Sequence, residues 1–133
     1  MSKQSFLALD VGEKRIGVAV ADSSVRIAIA YDTIEVDGSE IEQIARLIAL
    51  EDIDTVVIGY PRNQQGEVTA QTTYAERFAE KLQDIAPEIM FQDESLTSVK
   101  AEELLKRQKK PYSKGDIDAL AASLILQDYL EQV

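Results

Sequence analysis

Histidine and cysteine are both absent from this 133-residue chain. The lack of cysteine excludes disulfides, zinc–thiolate sites and thiol nucleophiles. The lack of histidine excludes Ser-His-Asp and Cys-His catalysis, and it removes imidazole as a metal ligand. Any acid–base or metal chemistry must therefore rest on carboxylates, lysine, tyrosine or bound water.

The sequence also has no apolar run that approaches the length of a membrane span, and its N-terminus has no signal-peptide pattern. We therefore expect a cytoplasmic protein with no membrane partner. The length fits a single domain over residues 1–133 with a full hydrophobic core. A content of 45% hydrophobic and 29% charged residues is ordinary for a globular protein.

Positive charge is scarce, with 14 lysines and arginines against 24 acidic residues and a net charge of −10. This balance argues against broad, non-specific affinity for nucleic acid, which normally needs a basic surface. A local basic patch is still compatible with it, and the candidates are Lys14-Arg15, Arg62 and the run Lys106-Arg107-Gln-Lys109-Lys110. The alternative for that run is a solvated helix end, where cations favour the helix dipole.

Hydrophobic periodicity predicts an α/β fold with element order β-β-β-α-β-α-β-α-α. Strands are predicted over residues 5–10, 15–21, 27–36, 55–59 and 88–92, and the later helices over 70–85, 98–107 and 116–130. Short links make the first three strands antiparallel, and helical crossovers make the first, fourth and fifth strands parallel. We expect a five-stranded mixed sheet of order 3-2-1-4-5 with helices on both faces.

Acidic residues follow two of the predicted parallel strands. Asp10 ends the first strand, the pair Asp93-Glu94 ends the fifth, and Asp118 lies on the apolar face of the last helix. The carboxyl ends of parallel strands meet at one edge of a sheet. Because hard carboxylate oxygens suit Mg²⁺ or Mn²⁺, we predict a cation site made by Asp10, Asp118 and one of the pair. The alternative is that each residue is only a turn residue or a helix cap.

Polar residues near the same edge are candidates for substrate binding. Arg62 and Asn63 lie in the polar loop over residues 60–66, and Lys14 and Arg15 follow the first strand. These four side chains are predicted to contact phosphate or sugar. Gly12 and Gly17 would let the backbone come near a substrate. For Gly17 the alternative is that it serves only the packing of the sheet.

Four segments carry a pattern that is specific in its order and spacing: Leu7–Ala19, Val57–Gly66, Asp93–Ser98 and Asp116–Ala122. With them the chain resembles, over essentially its whole length, the YqgF/RuvX family of RNase H-like nucleases, often called Holliday junction resolvase-like proteins. The resemblance implies an RNase H-like fold, dependence on a divalent metal and a role in maturing the 5′ end of 16S ribosomal RNA. Branched-DNA cleavage has also been proposed for this family.

The resemblance also assigns roles to individual residues. It implies that Asp10, Asp93, Glu94 and Asp118 are the catalytic carboxylates, with Glu94 favoured over Asp93 as a metal ligand beside Asp10 and Asp118. The family usually has Asp-Glu-Arg-Leu-Thr-Thr after the fifth strand, whereas this chain has Ser95 in place of the arginine. Serine lacks the planar cationic fork that clamps a phosphate, so we expect weakened substrate affinity.

The residues fit a two-metal hydrolysis, in which Mg²⁺ or Mn²⁺ ions activate water and stabilise the leaving oxygen. We expect a nuclease that acts on a ribosomal RNA precursor or on branched DNA, as a monomer or weak homodimer. One alternative is a non-catalytic nucleic-acid-associated factor on the same fold. Another is a phosphotransferase of the sugar-kinase type, which needs a duplicated fold that 133 residues cannot hold unless two chains pair.

Overall fold

The computed structural model describes residues 3–63, 65–94, 97–108 and 111–133, with the side chains of residues 97–99 left out of the description. Three residues used in the sequence predictions lie outside the described part of the chain, namely Ser95, Lys109 and Lys110. The predictions that concern them are not tested by the structure.

The described elements follow the predicted order. They are β1 Ser5–Val11, β2 Arg15–Asp22, β3 Ile29–Glu35, α1 Glu40–Leu50, β4 Thr55–Tyr60, α2 Ala70–Leu82, β5 Ile89–Asp93, α3 Thr97–Arg107 and α4 Lys114–Gln132. Strand β3 begins at Ile29 rather than at residue 27, because the Ala28 amide donates to Gln127 of α4 instead of a neighbouring strand. Helix α4 begins earlier than predicted, because Ser113 is its N-cap and forms a reciprocal capping box with Asp116 in the first turn.

The sheet has the predicted order β3-β2-β1-β4-β5. Strand β2 pairs antiparallel with both β1 and β3, and β4 pairs parallel with both β1 and β5. The carboxyl ends of β1, β4 and β5 therefore meet at one edge of the sheet, as expected. None of the described helices is long and apolar enough to cross a membrane.

Helices cover both faces of the sheet, and the alternation of side chains along β1 shows which helix lies on which face. Leu7, Leu9 and Val11 pack into the core formed with α1 and α2. Phe6 and Ala8 alternate with them and pack against α4, which supplies its apolar face to the second core. Three small or apolar residues on this face of α4 are fully buried: Ala121, Ala122 and Ile125. Helix α3 packs on the same side, against α4.

Candidate active site

Asp10 lies on the α4 face of the sheet, because it continues the alternation of Phe6 and Ala8. It pairs in register with Gly17 of β2 and is half-buried. An acidic residue is thus placed at the carboxyl end of β1, on the face that α4 covers.

The same alternation separates the two acidic residues that follow one another after β5. The carboxyl group of Glu94 hydrogen-bonds the side chain of Asp10, and its backbone amide donates to the Tyr60 carbonyl at 3.3 Å. Asp93 points to the opposite face, where its side chain is 65% exposed and forms an ion pair with Arg62 at 3.3 Å. The structure therefore joins Asp10 to Glu94 and leaves Asp93 apart from them.

Gly59, near the end of β4, provides the space that the Glu94 carboxyl group occupies. A Cβ atom at this position would lie 2.8 Å from both the Glu94 Cδ and the Ile125 Cδ1. A larger residue there would require both the Glu94 carboxyl group and the end of the Ile125 side chain to move. The sequence predictions missed this role, although a glycine within a β-branched apolar strand is a known sign of close approach.

Asp118 lies in the second turn of α4, and its backbone carbonyl packs directly against Gly17. A Cβ atom at Gly17 would overlap that carbonyl oxygen. Gly17 therefore serves the packing of α4 on β2, and the prediction that it admits substrate is wrong. Gly12 is also structural, because its amide donates to the Arg15 carbonyl in the hairpin turn at 3.0 Å and a Cβ would meet the same oxygen at 2.7 Å.

The side chain of Asp118 is paired with Arg15, a residue that we predicted to bind substrate. Arg15 Nε donates to Asp118 Oδ2 at 2.6 Å, and the two side chains are 29% and 22% exposed. Arg15 lies two residues before Gly17 on β2, so both residues face α4. That shared face makes the pairing possible.

Burial raises the pKa of Asp10 from its ordinary value to about 6. The hydrogen bond with Glu94 opposes this rise, and the negative charge of Asp118 adds to it. Removing a carboxylate from water disfavours its charged form, and a neighbouring carboxylate has the same effect. The side chains of Glu94 and Asp118 therefore both influence the ionisation of Asp10. Asp118 does so even though it is also paired with Arg15.

The other predicted substrate-binding residues have different surroundings. Asn63 organises its own loop, since its Oδ1 accepts from the Glu67 amide at 2.9 Å. Arg62 lies over the Tyr60 ring, 5.1 Å from its centroid, in addition to its pairing with Asp93. Lys14 is exposed, and its side chain makes no hydrogen bond or ion pair with the residues that the structure describes.

The chemistry of these donors fits a hard divalent cation, because Asp10, Glu94 and Asp118 offer only carboxylate oxygens. Their arrangement fits it incompletely. Within residues 3–63, 65–94, 97–108 and 111–133, no three acidic side chains form a group able to hold a metal ion. Asp10 and Glu94 are in contact, and the Asp118 carboxylate is turned to Arg15 instead.

Sequence comparison gives the family of this fold and site. The sequence profile of the RuvX family, described as Holliday junction resolvase, matches residues 4–132. The chain belongs to the RuvX family. A relative from Chloroflexus aurantiacus is 45% identical, and the match covers 98% of this chain and 89% of the relative. A second, from Crocosphaera subtropica, is 41% identical, with 99% and 96% covered. Both carry the name "Putative pre-16S rRNA nuclease".

A solved structure of Thermus thermophilus RuvC in complex with a Holliday junction has the same fold. The TM-score is 0.60 at 13% identity, and the match covers 97% of this chain and 94% of that one. At this identity the likeness bears on the fold alone, and it confirms the predicted RNase H-like architecture. The family resemblance predicted from the four segments is also confirmed, and the chain is accordingly a hydrolase of phosphodiester bonds.

Proposed function

We propose that this RuvX-family protein is a metal-dependent nuclease that processes the 5′ end of the 16S ribosomal RNA precursor. Two relatives named for that substrate match nearly the whole chain at 45% and 41% identity. The observation that carries the proposal is the contact between the Asp10 and Glu94 carboxyl groups, at the edge where β1 and β5 end. Asp118 lies close enough to raise the pKa of Asp10 further.

Carboxyl groups in this arrangement favour a divalent cation, because they cannot all ionise next to one another without a counter-charge. Asp10, Glu94 and Asp118 would hold Mg²⁺ or Mn²⁺. The bound cation would supply the activation of water and the stabilisation of charge that phosphodiester hydrolysis needs. With no histidine or cysteine in the chain, these carboxylates are the residues best suited to the reaction.

The chain's own cations must orient the substrate, because its net charge of −10 repels a polyanion at long range. At physiological salt the Debye length is about 8 Å, so distant acidic residues are screened while contacts at the site are not. Lys14, exposed on the turn beside Arg15, is the side chain best placed to meet a phosphate first. Arg62 is paired with Asp93, so it would have to leave that ion pair before it could bind a phosphate.

The test is cleavage of a labelled RNA that spans the precursor leader and the mature 5′ end of 16S ribosomal RNA, with Mn²⁺ or Mg²⁺ and with chelator. We expect cleavage that chelator abolishes. Asp10→Asn and Glu94→Gln should each lower the rate by about 100-fold or more, because several kcal/mol of charge stabilisation are lost. Asp93→Asn neutralises the adjacent carboxylate that faces away, so it should retain cleavage. Because it also frees Arg62, it is a control for the catalytic carboxylates and not for substrate affinity.

A four-way DNA junction should be assayed in parallel, because the family description names that substrate. Preferential cleavage of the junction would replace the proposed substrate and leave the mechanism intact. Cleavage that persists in excess chelator, or that Asp10→Asn does not affect, would disprove the mechanism itself. Binding of either nucleic acid without any cleavage would favour a non-catalytic factor.

A further inference from the structure

The ion pair between Arg15 and Asp118 differs from the other ion pairs of the described residues. At 2.6 Å it is the shortest of them, and both partners are largely shielded, with side chains 29% and 22% exposed. In each of the other four pairs at least one side chain is more than half exposed. Exposed ion pairs contribute little to stability, whereas a charge-assisted hydrogen bond that is shielded from water is strong.

This bond occupies the third carboxylate of the candidate metal site. Asp10 and Glu94 already touch, and the Asp118 backbone is fixed against Gly17 on the strand beside them. The Asp118 carboxylate is directed to Arg15 instead of to that pair. The guanidinium thus neutralises the carboxylate that a divalent cation would otherwise use.

The exchange of one cation for the other needs only side-chain movement. Arg15 begins β2 directly after Lys14 on the exposed hairpin turn, so a released guanidinium would lie at the solvent edge of the site. Its bond to Asp118 is made by Nε, and the structure shows no second side-chain hydrogen bond between Arg15 and a described residue. The planar fork of the guanidinium suits a phosphate.

We propose that Arg15 is a positioning residue that holds Asp118 until a divalent cation replaces it, and that it then binds a substrate phosphate. The proposal rests on the proposed function and adds a coupling to it. Metal binding to Asp118 releases Arg15 for the nucleic acid, and phosphate binding to Arg15 releases Asp118 for the metal. By linkage the two affinities must rise together.

The first test is calorimetric titration of Mn²⁺ into the metal-free protein without nucleic acid. Arg15→Gln removes a competing positive charge next to the cation, so we expect it to bind Mn²⁺ about tenfold more tightly than the unchanged protein. Arg15→Lys, which keeps the charge but loses the planar Nε contact, should fall between the two. Arg46→Gln is the matched control, because it deletes one exposed arginine on α1 and should leave the affinity unchanged.

The second test measures the affinity for a single-stranded phosphorothioate oligonucleotide, which resists hydrolysis. With saturating Mn²⁺ we expect Arg15→Gln to weaken binding about tenfold, the low end for a charge-assisted hydrogen bond. Without Mn²⁺ the loss should be less than about twofold, because Arg15 is then occupied by Asp118. Thermal unfolding of each variant checks that it is folded, and Arg15→Lys provides the comparison if Arg15→Gln is not.

The outcomes separate this inference from the function on which it rests. Unchanged or weaker Mn²⁺ binding by Arg15→Gln would overturn the inference while leaving a metal-dependent nuclease. An equal loss of oligonucleotide affinity with and without Mn²⁺ would overturn it as well, since Arg15 would then contact phosphate regardless of the metal. Failure of the unchanged protein to bind Mn²⁺ would overturn both proposals.

Discussion

Replacing Asp10 with asparagine is expected to stabilise the metal-free protein at alkaline pH while destroying its activity. Burial raises the pKa of Asp10 from 3.8 to about 6, so the folded state holds the proton of this carboxyl group more tightly than the unfolded state does. Asparagine has nearly the same shape and carries no charge at any pH. Its amide can also donate to Glu94, which preserves the contact between the two side chains.

The sign and size of the effect follow from linkage. A carboxyl group with a raised pKa stabilises the fold fully below pH 4, and that contribution is lost as the pH rises through about 6. Each pKa unit corresponds to about 1.4 kcal/mol, so the loss is at most about 3 kcal/mol. Asp10 is only half-buried, so the full loss is an upper limit. We expect the free energy of unfolding of Asp10→Asn to be higher than that of the unchanged protein by about 1.5–3 kcal/mol at pH 8, and the two to be nearly equal at pH 4.

The assay is thermal or urea unfolding of both proteins in chelator across pH 4 to 8. The difference at pH 8 corresponds to about 5–10 °C in Tm for a chain of this length. Asp93→Asn, which removes an exposed charge at the same sheet edge, should change stability by less than about 1 kcal/mol. A difference that does not vary with pH, or a less stable Asp10→Asn at pH 8, would refute the reasoning. Adding Mn²⁺ should stabilise the unchanged protein more than the variant.

Two further substitutions test the packing that positions the site. Gly17→Ala should destabilise the protein by about 1–3 kcal/mol and weaken Mn²⁺ binding, because the new methyl group meets the Asp118 carbonyl. Gly115→Ala is the control, because its Cβ would lie 3.5 Å from the nearest atom, so it should leave stability unchanged or raise it. Equal losses of stability from Gly17→Ala and Gly115→Ala would contradict the packing argument. Ser113→Ala should cost about 1 kcal/mol in urea unfolding by removing the cap of α4. Ser39→Ala is its control, since Ser39 makes no side-chain cap at α1.

The sheet could be predicted from the sequence because its connections leave few alternatives. A link of a few residues between two strands permits only an antiparallel hairpin, and a helix between strands produces a parallel crossover. The boundaries were harder to predict, because they depend on contacts made far along the chain. The start of β3 is decided by a hydrogen bond from Ala28 to Gln127, 99 residues away.

Alternation along β5 predicts that Asp93 and Glu94 lie on opposite faces of the sheet. Ile89 packs into the core formed with α1 and α2, so Asp93, four residues later on the same strand, must share that face. Glu94 then lies on the α4 face with Asp10. Which of the two shares a face with Asp10 depends on the register of β5 against β4, and the period of two does not give that register.

The pairing of Arg15 with Asp118 could not be predicted in the same way. The two residues are 103 positions apart, and their contact depends on how closely α4 approaches β2 and on the rotamers of two side chains. Period-two alternation puts Arg15 on the correct face, yet it does not distinguish a phosphate-binding arginine from one held by a carboxylate. That distinction depends on Gly17, whose missing side chain permits the approach.

Arg15 therefore bears on the affinity for both the metal and the substrate. The family's arginine after β5 is Ser95 in this chain, so its planar fork is missing. Arg62 is held by Asp93, and Arg15 is held by Asp118. If Arg15 is released only when a cation takes Asp118, a protein of net charge −10 presents its phosphate-binding fork only after the metal has bound. The strong negative charge then works in favour of specificity, because it disfavours nucleic acid at a site that is not yet ready to cleave it.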